Sequence, residues 1–107
     1  MPGIEDTLLA VGIADEIRKN CPSISARLVR AYNTLMGTVS LARSKGYSDA
    51  EIDAYRNSDA EKDRLRAVRD AYLTEAGVIA GAPESYCALG RVEIEKGGQI
   101  GALLRMN

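Results

Sequence analysis

Histidine, phenylalanine and tryptophan are absent from this chain of 107 residues, and cysteine occurs only twice. The lack of histidine removes the commonest general base, the nucleophilic triads that depend on it and the commonest zinc ligand. No catalytic residue, metal site or cofactor is therefore expected. Without Phe or Trp, the core must be built from Leu, Ile, Val, Ala, Met and five tyrosines, so a covalent staple would help it. There is no P-loop and no dinucleotide fingerprint. Gly97-Gly98-Gln99-Ile100-Gly101 lacks the strand that would turn such glycines into a phosphate cradle.

Long apolar runs are missing too. No stretch approaches the ~20 residues needed to span a bilayer. The best candidate for a signal core, Leu8 to Ala14, follows Glu5 and Asp6 and runs into Asp15-Glu16-Ile17-Arg18, which is the pattern of an amphipathic helix. Net charge is −1, and the fourteen basic residues, ten of them Arg, are interleaved with acids. That balance argues against a nucleic-acid partner.

What is present is helical period. The length suits one domain, 1–107, and the pattern predicts an all-α compact bundle of about five helices with no sheet. The first helix is expected over Ile4 to Asn20, with Leu9, Ile13, Ile17 and Cys21 in one stripe and Pro22 as its stop. The second is expected over Ser23 to Lys45. Its stripe of Ile24, Leu28, Ala31, Tyr32, Leu35, Val39 and Ala42 is the longest in the chain, which marks it as the central and most buried helix.

Ser48-Asp49-Ala50-Glu51 and Ser58-Asp59-Ala60-Glu61 are two capping boxes, the first flanked by the hydrophobic staple pair Tyr47 and Ile52. They start a third helix, Asp49 to Arg56, and a fourth, Asp59 to Ala76. Pro83 suits the first position of a fifth helix ending near Lys96. A last turn or two is expected between Gln99 and Arg105.

Few residues invite a functional reading. Cys21 and Cys87 both fall on inward faces, and the spacing alone leaves a disulfide and two buried thiols equally open. Glu93 lies close to the apolar side of the fifth helix. A carboxylate there must be paired, hydrogen-bonded or protonated. One reading makes it part of a small-ligand or ion pocket with Tyr86 and Tyr32; the other makes it a satisfied structural acid, and the absence of a partner histidine or second inward acid favours the latter. Arg64, Arg66 and Arg69 read as a solvated charged face. Leu8 and Val11 make the first two turns apolar nearly all round, so either a later segment covers them or they form an interaction surface.

Three segments carry a resemblance: Gly12 to Cys21, Gly46 to Tyr55, and Cys87 to Gly101. They resemble a family of small secreted proteins of unknown function from the Rhodobacter group of alphaproteobacteria. The resemblance covers about Ile4 to Arg105. It implies a precursor whose signal peptide is removed and a mature protein in the periplasm. In that oxidising compartment the Cys21–Cys87 disulfide becomes the expected state. The resemblance also implies a link to a respiratory complex, NADH–quinone oxidoreductase, among whose genes such proteins sit. A periplasmic protein would have to act on that complex's periplasmic side or in its assembly. The reading reached is a non-catalytic periplasmic accessory or protein-interaction module with another protein as partner; the alternative is the ligand-binding bundle around Glu93.

Overall fold

In the computed structural model, which describes residues 3–107, six helices and one two-stranded ribbon are formed. They are α1 (Ile4–Asn20), β1 (Ile24–Ala26), α2 (Leu28–Ser44), α3 (Asp49–Arg56), α4 (Asp59–Glu75), α5 (Pro83–Lys96), α6 (Gln99–Ala102) and β2 (Leu104–Met106). The helical fold class and the Cys21–Cys87 disulfide are as expected. α3 begins on a complete capping box: the Glu51 N–H donates to Ser48 Oγ at 3.1 Å and the Ser48 N–H donates to Glu51 Oε1 at 3.0 Å. At α4 only half the device forms. The Glu61 N–H donates to Ser58 Oγ, but the Glu61 carboxylate turns to Arg64 instead.

The central helix is α1, not α2. It packs against α2, α4, α5, α6 and β1. Its apolar character nearly all round is the signature of a helix buried on several sides. Ile13, Ala14 and Ile17 are buried, and Cys21 caps its end with no exposed surface. α2, expected to be the most buried, buries only Ala42 fully. Period shows which residues share a face; it does not show whether any element reaches that face.

The ribbon is the second departure. β1 and β2 pair antiparallel with Ile24 opposite Met106, Ser25 opposite Arg105 and Ala26 opposite Leu104. α2 consequently starts at Leu28 rather than Ser23. The Arg27 N–H donates to the Leu103 carbonyl at 2.8 Å, so the residues before α2 satisfy their backbone across the ribbon instead of within a helix. Side chains reinforce the closure: Ser25 Oγ bonds to Asn107 Oδ1, and Asn107 Nδ2 donates to the Pro22 carbonyl at 2.9 Å.

The main core joins α1, α5, α6 and the ribbon around Ile17, Ile24, Leu89, Leu103 and Leu104. Two glycines permit its tightest approaches. A Cβ at Gly90 on α5 would overlap Ile24 Cδ1 and come within 2.9 Å of Ile17 Cγ2. A Cβ at Gly101 on α6 would overlap the Glu93 carbonyl oxygen and stand 2.6 Å from its carbon. A smaller cluster of Ile4, Ala42 and Ile52 ties the start of α1 to the end of α2 and to α3, with Leu8 and Tyr47 against it. The molecule measures 42 × 26 × 19 Å.

Candidate functional site

Glu93 is indeed turned inward. It is 4 % exposed and is the one charged side chain among the buried described residues. Its Oε1 accepts the Tyr72 hydroxyl from α4 and lies 3.5 Å from Lys96 Nζ, one turn along α5. The hydrogen bond to Glu93, with burial and the carboxylate charge behind it, pushes the Tyr72 phenol up to about 12. Tyr72 therefore keeps its proton across the physiological range and acts as a donor.

Glu93, Tyr72 and Lys96 line the wall between two open grooves of about 420 and 360 Å³. The first runs between α4 and α5 past Leu89 and Val92; the second runs past Leu9, Ile13 and Ile100. The tyrosines that the sequence groups with Glu93 are elsewhere. Tyr86 is buried in the main core and borders neither groove, and Tyr32 is exposed on α2. Tyr72 lies at helical spacing from Leu65 and Val68, which marks it only as a packing residue in the sequence; its donor role needed the approach of α4 to α5. Among the described residues, no group of three or more His, Cys, Asp or Glu side chains could hold a metal ion. The cluster's chemistry is that of a buried carboxylate held through one oxygen, Oε1, joining two helices across a polar contact.

The remaining sequence candidates are distributed between packing and ion pairs. Leu8 is partly covered by the small cluster and Val11 packs on the main core. On α4, Arg64 pairs with Glu5, and Arg69 lies 3.3 Å from Glu16, so both tie α4 to α1. Arg64 is the leading cause that holds the Glu5 carboxyl below its usual range. Among the described residues, no helix is long and apolar enough to cross a membrane.

The surface that stands out is α2. Leu28, Val29 and Tyr32 are 73 %, 77 % and 62 % exposed, and Met36 continues them by one turn. An exposed Leu by itself is ordinary, but four large apolar side chains within nine residues on one arc of a helix form a patch. Around them the interleaving of charges fails. From Ile17 to Ser48 there is no Asp or Glu, while Arg18, Lys19, Arg27, Arg30, Arg43 and Lys45 all fall there, leaving eight basic against fifteen acidic residues in the rest of the chain. Arg27, Arg30 and Arg105 make no ion pair among the described residues. Helical period assigns Leu28 and Tyr32 to the core stripe, with Val29 and Met36 beside it, so the functional signal of this face was hidden by the strength of that period.

Residues 1–105 match the family of unknown function DUF5333, and the chain belongs to that family. No curated protein and no solved structure matches it.

Proposed function

We propose that this member of the DUF5333 family is a non-catalytic interaction module, an accessory protein that docks on another protein through the exposed face of α2. The observation that carries the reading is the open Leu28–Val29–Tyr32–Met36 patch on a helix whose period calls for burial. The periplasm is its proposed compartment. The Cys21–Cys87 bridge supports that assignment, since disulfides persist in oxidising surroundings and are rare in the cytosol. The ligand-binding alternative has weaker support, because Glu93 Oε1 is already held by Tyr72 and Lys96 and the tyrosines it would use, Tyr86 and Tyr32, border neither groove beside Glu93.

The test is a site-specific photo-cross-link in the cells that make the protein. A benzophenone side chain placed at Tyr32 or Met36 should trap a second protein on irradiation. The same group at Ala67, on the exposed side of α4, should not. Equal trapping at all three positions, or none at any, sinks the docking reading.

A further inference from the structure

The two ends of the α2 face carry different features, and together they fit one kind of occupant, whose identity rests on docking through that face. At the N-terminal end an open groove of about 490 Å³ is lined by Arg27, Leu28, Val29, Arg30 and Arg105. Two of these arginines are partly fixed from below. Arg27 Nε donates to the Leu104 carbonyl at 3.2 Å, and Arg30 Nη1 donates to the Ala102 carbonyl at 2.8 Å. Each guanidinium keeps further N–H donors in a fixed planar fork, the geometry that grips a carboxylate with two parallel hydrogen bonds. Among the described residues, no carboxylate of this chain fills that role.

Farther along α2 the surface becomes a recess. A crevice of about 170 Å³ opens between α1, α2 and α3, lined mainly by apolar side chains such as Leu8, Leu35 and Ile52, with Thr38, Tyr55 and Arg56 as its polar members. An apolar space of ~150 Å³ takes a group the size of benzene, so this one suits a single Leu or Phe side chain. Groove and crevice are centred about ten residues apart, roughly 15 Å at the rise of an α-helix. Leu28, Tyr32 and Met36, at four-residue steps, connect them as one ridge.

We infer that α2 binds an acidic amphipathic helix of another protein. Its carboxylates would enter the arginine groove, its apolar stripe would lie along Leu28, Tyr32 and Met36, and one bulky apolar side chain about 15 Å from the carboxylates would fill the crevice. Charge selects this occupant over a second copy of the chain. Pairing two α2 helices antiparallel sets Arg27 and Arg30 against the other copy's Arg43 and Lys45; α2 carries no acid, and Asp49 of α3, which pairs with Arg43, offsets only one of these charges. The recess selects it over a flat lipid surface, because part of the apolar area lies below the rim of the face and can be reached only by a protruding group.

Three synthetic helical peptides of about 18 residues, long enough to pair with α2, test the inference. They share one apolar stripe and differ only in carrying Glu, Gln or Lys on its flanks. Titration into labelled protein, followed by amide shifts, should show the Glu peptide binding about tenfold tighter than the Gln peptide and the Lys peptide binding more weakly still. About 0.5 M salt should erase the Glu preference. Arg27→Gln with Arg30→Gln should do the same. Arg105→Gln, which breaks no side-chain hydrogen bond among the described residues, should weaken the Glu peptide about threefold while the unfolding midpoint stays in place. Equal binding of all three peptides overturns the acidic occupant and leaves docking intact. No binding by any of them, with cross-linking at Tyr32 preserved, does the same. Vesicles of phosphatidylglycerol that shift α2 more strongly than the Glu peptide overturn it in favour of a membrane.

Discussion

Replacing Gly101 by Ala probes the closest approach in the molecule. The added methyl would overlap the Glu93 carbonyl oxygen, stand 2.6 Å from its carbon and lie 2.9 Å from Ile94 Cα. All three are backbone atoms of α5, so no rotamer change relieves the clash and α6 must move away as a unit. Overpacking costs about 1–3 kcal/mol where side chains can adjust, and more where they cannot. The expected loss is therefore above about 3 kcal/mol, a large part of the ~5–15 kcal/mol typical of a domain. Gly90→Ala is the internal control. Its methyl meets the ends of Ile24 and Ile17 side chains, and Ala gains up to about 1 kcal/mol of helix propensity over Gly at that interior position of α5. Its expected net loss is about 0–2 kcal/mol. Equilibrium unfolding in urea, followed by far-ultraviolet circular dichroism with the disulfide intact, measures both. A Gly101→Ala loss below about 1 kcal/mol, or a larger loss at Gly90, would refute the backbone contact between α6 and α5.

Reduction of Cys21–Cys87 opens a loop of 66 residues, which in the chain-entropy model removes about 4 kcal/mol; the unfolding midpoint should fall clearly, and an unchanged midpoint would contradict the staple. Ser48→Ala breaks a reciprocal capping box and should cost about 1 kcal/mol, whereas Ser58→Ala breaks a single bond and should cost less; urea midpoints in the reverse order would be inconsistent with the two caps. The Tyr72 phenol, raised to about 12, stabilises the fold fully below the ordinary tyrosine value near 10, and that contribution is lost as pH rises through 12; ultraviolet titration should show a late phenol that Tyr72→Phe removes. Ile17→Ala, at a fully buried position on α1, should cost about 2–5 kcal/mol and clearly more than Leu35→Ala at the crevice edge; equal losses would restore α2 to the centre of the core.

The boundaries of α1, α3, α4 and α5 were legible because their signals are local. Pro22 ends one helix, Ser48 and Ser58 open two, and Pro83 sits in the first turn of another. The ribbon was not legible, since three-residue strands are too short to show alternation and Leu103-Leu104 fits a helical stripe equally well. The rank of the helices was hidden for a different reason. α2 has the longest stripe, but the elements after it are α3, only eight residues long, and α4, which packs on α1; neither reaches the outer arc of Leu28, Val29 and Tyr32. Glu93 was legible as an inward acid, while its partner Tyr72 depended on how α4 meets α5. The disulfide lay between these cases. Inward cysteines are a local fact, but their meeting depends on α1 and α5 packing at the small Gly90.

The exposed face and the disulfide have a common explanation. Burying a Leu, Val or Tyr side chain is worth about 1.5–3 kcal/mol, so leaving Leu28, Val29 and Tyr32 in water forgoes several kcal/mol that a domain without Phe or Trp could have used. The segment closed by Cys21 and Cys87 contains α2, α3 and α4 entire. By restricting the unfolded chain over that length, the bridge offsets the missing burial in the elements that lack it. The core proper, around α1, α5, α6 and the ribbon, lies at the bridge and does not draw on the outer arc of α2. Stability is thereby separated from the proposed docking surface: α2 keeps an apolar face open in water, held by Ala42 and the small cluster at one end and by the ribbon at the other, and on the docking proposal that face is buried only against a partner.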